Sequence, residues 1–199
     1  MKVKWIETWG FGNAMIGMRF PKNSEALSDS HIYSIGEKDL ELLLMLTRAG
    51  RDHRKALRMI HVQAAVNMPI SWWIQYDTYK VATVANSRSR MHKLGSRLLT
   101  KDDFYIESWD NYNDAMLLYI NSLIAIWQKT NDREVWKNAV DNIPMSYQQE
   151  RMIDLNYETL ITILNSRWNE KLSVEWRLFC SAFLKECPHL TEIWEASKK

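Results

Sequence analysis

Lys80, Arg88, Arg90 and Lys93, with His92, lie in one short segment, interleaved with Asn86, Ser87 and Ser89. Cations supply charge while hydroxyls and amides supply neutral donors, so the segment suits an anion-binding turn. The same composition also suits a solvated basic loop. The residues just before it, Met68 to Tyr79, are apolar and aromatic enough to pack as a core element. Two isolated groups stand elsewhere: His53, in the polar run Arg51 to Lys55, and Arg167. A loop histidine of that kind also reads as an ordinary surface residue. No Gly-rich loop of the dinucleotide or P-loop type is present, and there is no Gly-x-Ser-x-Gly elbow.

These groups must be positioned by ordinary elements. With 199 residues and 46% hydrophobic content the chain can fill one sizeable core, and a single domain over 1–199 is expected. A net charge of +2 argues against nucleic acid or membrane as a bulk electrostatic partner. Ten Trp and ten Met imply a dense core with buried ligand or subunit contacts. Cys180 and Cys187 fall on one predicted helix, roughly 10 Å apart along its axis, too far for a disulfide within it. Reduced thiols follow, with no metal-type Cys/His spacing. No apolar run approaches spanning length, so a cytoplasmic protein is expected.

In chain order, residues 1–20 read as extended and 21–36 as a loop. Asp39 to Ala49 reads as a helix stopped by Gly50. Residues 58–67 alternate, with Ile60, Val62, Ala64 and Val66 on one face, and predict a strand. Met68-Pro69 opens a helix bearing Trp72, Trp73 and Tyr76. Residues 80–93 read as a loop or broken helix, because Val81, Thr83 and Val84 are β-branched. Asp110 to Lys129 is a strong amphipathic helix, followed by a shorter one at 132–140. Ser146 and Gln149 predict a capping box for a helix running through Asn165. A helix along Leu172 to Cys187 stops at Pro188, and a short one carries Ile193 and Trp194. The class is α/β (α+β): a predominantly helical domain with a small central mixed sheet.

Two blocks of this pattern resemble the flavin-dependent thymidylate synthase family. In that family a helix ends in Gly and is followed by a functional His. A strand and a Pro-started helix ending in Gln come next. Then comes the signature Arg-His-Arg, two residues, Ser, one residue, Asn-Glu, one residue, Ser, one residue, Arg. Here His53, the strand, Pro69, Gln75 and Arg90 fall in step. The second block pairs an Asn with an Arg eleven residues later and a Glu opening the last long helix; Asn156, Arg167 and Glu175 match without a gap, and Pro144 fits the family's Leu-Pro. Order, spacing and surrounding helices agree over about two thirds of the chain.

The resemblance implies a homotetramer with sites shared among subunits, and a flavin beside a deoxyuridine nucleotide. Gln75, Asn86, Ser87, Arg88, Ser89, Arg90 and Arg167 would contact the nucleotide, with Arg167 the catalytic group. His53, Thr78, Tyr79, Lys80 and Asn156 would contact FAD. NADPH and methylene-tetrahydrofolate are the implied co-substrates. The departures are as specific as the matches. Thr78-Tyr79-Lys80 replaces Arg-His-Arg, Thr83 the first Ser, Ala85 the Asn, Asn86 the Glu and Arg88 the second Ser, and Val140 stands where an Arg helps hold the phosphate. Losing a charge-assisted phosphate contact costs on the order of 1.5–3 kcal/mol unless it is replaced. Arg88 and Lys80 could replace it from another direction. Keeping Arg167 in a rewritten signature points to a retained pyrimidine ligand with altered flavin or phosphate recognition. The expectation is a divergent enzyme that transfers a one-carbon unit to dUMP. The alternative is a nucleotide-sequestering or sensing protein without flavin chemistry. For Arg167 itself, the alternative is a helix-end ion pair with Glu170 or Glu175.

Overall fold

Strand β1 (Lys2–Trp9) ends at Gly10, whose φ of +95° opens a turn that a side chain would block. A Cβ there would sit 2.5 Å from the Met59 carbonyl oxygen, so only glycine fits. Helix α1 (Phe11–Arg19) follows, where the sequence reads as extended. Phe11, Ala14 and Met15 are fully buried at helical spacing, and that period decides the conformation despite Gly12 and Gly17. The computed structural model describes residues 1–89, 94–169 and 173–198. Arg90, His92 and Lys93 of the basic segment, with Glu170 and Leu172, lie outside the described residues.

The remaining elements are α2 (Glu37–Arg48), β2 (His61–Pro69), α3 (Ile70–Tyr76), β3 (Thr83–Ser87), α4 (Asn111–Thr130), α5 (Arg133–Asp141), β4 (Gln148–Asn156), α6 (Tyr157–Arg167), α7 (Ser173–Glu186) and α8 (Leu190–Ala196). Roughly 54% of the described residues are helical, and the four strands among them form one small antiparallel sheet, rather than a mixed one, in the order β1-β2-β4-β3.

Two further expectations give way to the structure. The helix anticipated from Ser146 to Asn165 is a strand followed by a helix. Ile153 and Leu155 are buried on alternate positions with half-buried Asp154 between them, a period of two that outweighs the Ser146/Gln149 spacing. The helix start lies instead at Asn156, whose Oδ1 accepts the Thr159 amide at 2.9 Å. Residues 83–87, read as loop, pair as β3, where β-branched Thr83 and Val84 are at home.

The chain divides into two compact units. One comprises Met1, Asn67–Thr78 and Asn86–Arg151. Its core gathers Leu99, Phe104, Ile120, Leu123, Ile124 and Tyr147 around α4 and α5. Asp110 caps α4 in a reciprocal capping box with Asn113. The other comprises Lys2–Val66, Tyr79–Ala85 and Met152–Lys199. There Val62, Ala64 and Val66 of β2 are fully buried, as the alternation predicts, together with Tyr157, Leu160 and Ile161 of α6 and Trp176, Phe179 and Phe183 of α7. Arg54 holds the buried carboxylate of Glu158 through two hydrogen bonds, 2.9 and 3.2 Å, in the first turn of α6. A carboxylate there also meets the positive end of the helix. Both cysteines are free and buried, and burial pushes each thiol up to about 12.

Candidate functional site

The second unit brings Tyr79, Arg167 and Trp176 together. Arg167, the last residue of α6, is half-buried and donates from Nε to the Tyr79 hydroxyl at 2.9 Å. Its guanidinium lies over the Trp176 ring, 5.1 Å from the centroid, and the two aromatic rings meet edge to face at 6.2 Å. A guanidinium held between aromatic faces is fixed in direction while it keeps its charge.

Local chain geometry aims Tyr79. The segment after it turns through Ala82 in the left-handed region, at φ 54°. Two side-chain hydroxyls brace the turn: Thr83 donates to the Tyr79 carbonyl, and Thr159 donates to the Val81 carbonyl at 3.0 Å. An alanine in that conformation costs roughly 1–2 kcal/mol, which these bonds offset. Lys80, beside it, is exposed and makes no hydrogen bond among the described residues.

Asn156 and His53 belong to the same unit. Asn156 is buried with both amide groups engaged, Oδ1 on Thr159 and Nδ2 on the Arg58 carbonyl at 3.3 Å. Its side chain is therefore spent on the α6 cap and on the chain leading into β2. His53 is exposed in the turn after α2, its amide bonded to the Gly50 carbonyl.

In the first unit, Gln75 lies in the last turn of α3 and Thr78 just beyond its end, and the Thr78 hydroxyl donates to the Gln75 carbonyl at 2.7 Å. Asn86, Ser87, Arg88 and Ser89 are all exposed. Arg88 is drawn onto β4: its amide donates to the Glu150 carbonyl at 2.9 Å, and its guanidinium pairs with the Glu150 carboxylate at 2.6 Å. One of the cations that give this segment its anion-binding character thus already has a carboxylate.

Sequence reasoning missed Arg151 in this unit. It lies over the Trp73 ring, 4.3 Å from the centroid, and bonds Asp77 at 2.9 Å and Gln149 at 3.1 Å. Trp73 in turn donates to the Gln149 carbonyl at 2.8 Å. Reading 146–165 as helix concealed that Gln149 and Arg151 share one face of a strand. The second unit holds a similar polar set. Asp154 of β4 accepts from Gln63 at 2.8 Å and bonds the His61 ring at 3.0 Å, and Trp9 stacks on that ring at 5.8 Å.

No family model and no curated protein matches the chain. Solved structures do. The flavin dependent thymidylate synthase ThyX from Helicobacter pylori, complexed with FAD and dUMP, superposes with a TM-score of 0.78 over 100% of both chains at 16% identity. A second structure of that enzyme with FAD and dUMP gives 0.74 over 98% of this chain and 100% of the other, again at 16% identity. A UMP/dUMP methylase, PolB from Streptomyces cacaoi bound with 5-Br dUMP, gives 0.68 at 14% identity, over 98% and 93%. The fold of this chain is that of the flavin-dependent thymidylate synthases. At such identity the likeness carries the fold alone.

Proposed function

We propose that the protein binds a pyrimidine deoxynucleotide and FAD and transfers a one-carbon unit to dUMP. The observation that carries this reading is Arg167, held by the Tyr79 hydroxyl and the Trp176 face at the end of α6. The structural neighbours, bound with dUMP, 5-Br dUMP or FAD, support it. A guanidinium cannot lose its charge near neutral pH, so against a pyrimidine it favours the ionised ring and stabilises charge that develops there. Preorganisation matters because a donor already fixed in place needs no reorientation as the anion forms.

The residues fit a flavin on the chemistry of their donors. Lys80 offers an exposed ammonium for a pyrophosphate and His53 an exposed imidazole, while Thr78 and Asn156 are occupied within the protein. The flavin, when bound, supplies hydride chemistry; the protein's part is to hold the pyrimidine and polarise it. NADPH as reductant and methylene-tetrahydrofolate as carbon donor complete the proposal.

The test is direct. Purified protein is expected to take up FAD and to release tritium from 5-tritiated dUMP when given the folate and a reductant. Arg167→Ala should weaken dUMP binding by about tenfold to a hundredfold, the range for a charge-assisted hydrogen bond. A protein that refuses FAD at tens of micromolar sinks the enzyme reading.

One observation favours a second reading. Tyr79 stands where the family has a histidine, and its hydroxyl is engaged by Arg167, while the charge of Arg88 is paired with Glu150. On that reading the fold holds a nucleotide without flavin chemistry. Thermal stabilisation by a nucleotide, unchanged by FAD, would select it.

A further inference from the structure

A cleft of about 640 Å³ opens between α1, α2 and the turn after α2, wholly within the second unit. Its walls are apolar: Met18, Phe20, Leu42, Met45, Leu46 and Met59. Of these, Phe20, Met45 and Met59 remain 60%, 53% and 48% exposed, far more than a core would leave them. The volume lies within the roughly 300–1,000 Å³ of small-molecule sites.

The cleft also has a charged anchor. Arg19 lines it, is only 8% exposed, and is held by one hydrogen bond from Nε to Asp39. The other Asp39 oxygen is taken by Ser28 and Ser30, each at 2.6 Å, and by the Asp29 amide. Arg19 Nη1 and Nη2 make no hydrogen bond among the described residues. A guanidinium fixed through Nε leaves its two Nη groups as a planar fork, which matches a carboxylate through two parallel bonds. Lys22, Lys55 and His53 line the same cleft, their side chains without a hydrogen bond or ion pair among the described residues, against one lining carboxylate, Asp52.

We propose that this cleft binds an organic carboxylate with an elongated apolar body. The carboxylate sits on the Arg19 fork and the apolar body lies along the methionine and leucine wall. Methionine suits such a wall because its unbranched, polarisable side chain adapts to the shape of the ligand. The proposal rests on Arg19 and the apolar wall, not on Arg167, although His53, offered above to the flavin, also lines this cleft.

Isothermal titration with decanoate, decanol and dUMP tests it on the intact protein. Decanoate is expected to bind, and decanol, which lacks the charge, to bind at least about tenfold more weakly. Met45→Glu, at an exposed helix position, should abolish decanoate binding by placing a like charge on the wall. Arg19→Lys keeps a cation for Asp39 but loses the fork, and should weaken decanoate by about tenfold while thermal unfolding reports whether the chain still folds. Equal affinity for decanoate and decanol would overturn the assignment, as would unchanged binding in folded Met45→Glu. Displacement of decanoate by equimolar dUMP would overturn it too, by making the cleft the nucleotide's own site. Absence of decanoate binding, with a lower light-scattering mass in Met45→Glu, would instead make the cleft a face where copies of this chain meet.

Discussion

Asp39 shows how a single buried carboxylate governs a site it does not enter. Burial alone raises its pKa, but hydrogen bonds from Ser28, Ser30 and Arg19 and the charge of Arg19 outweigh that, and the net value lies below the usual 3.8. A carboxylate with a depressed folded pKa stabilises the fold above its unfolded value, and that contribution is lost as pH falls through the lower folded value. Urea midpoints measured between about pH 5 and pH 2 should therefore fall steeply at the acid end, and Asp39→Asn should flatten that limb. The variant should also lose about 3–5 kcal/mol near neutral pH, because Arg19 keeps a buried charge without its partner. An acid limb unchanged by the substitution would remove Asp39 as its source. Arg167 makes the complementary point. Its register is legible in the sequence, but the partner that orients it, Tyr79, lies 88 positions away, and the family resemblance implies for Tyr79 a contact with the cofactor instead.

At the scale of elements, β4 and α6 illustrate a choice between two periods. Ser146 and Gln149 form a legitimate capping pattern, yet the buried alternation of Ile153 and Leu155 places a strand there and moves the cap to Asn156. Asn156→Ala should accordingly destabilise the protein by about 1–2 kcal/mol, the cost of a lost N-cap, read as a shift in urea midpoint at constant slope. Asn156→Asp retains the acceptor for the Thr159 amide and should restore most of that loss. If Asn156→Ala leaves stability intact but weakens FAD, the residue is a ligand rather than a cap. The α4 helix shows the other limit of pattern reading. Its amphipathic period is real, but Tyr112 and Leu118 are 76% and 73% exposed, so periodicity identified the helix without saying which residues the subunit buries.

For the molecule as a whole, a homotetramer remains the expectation, with Tyr112, Leu118 and Tyr119 of α4 among the exposed apolar groups available for subunit contacts. Light scattering should give about four times the 23.6 kDa chain mass; a monomer persisting at high concentration and with dUMP present would rule the tetramer out. Among the described residues no helix is long and apolar enough to cross a membrane. The sequence by itself determined the mostly helical α/β class, the β2 strand and its buried face, α2, α3, α4 and α5, and the register that sets Asn156 eleven residues before Arg167, because each rests on local periodicity and spacing. Tertiary structure decided what those residues do. The pairing of Arg88 with Glu150, the stacking of Arg151 on Trp73 and the fork of Arg19 above its cleft join residues distant in sequence or neighbouring across strands. Whether a cation meets a carboxylate, an aromatic face or open space follows from which strand lies beside it, and spacing along the chain does not encode that.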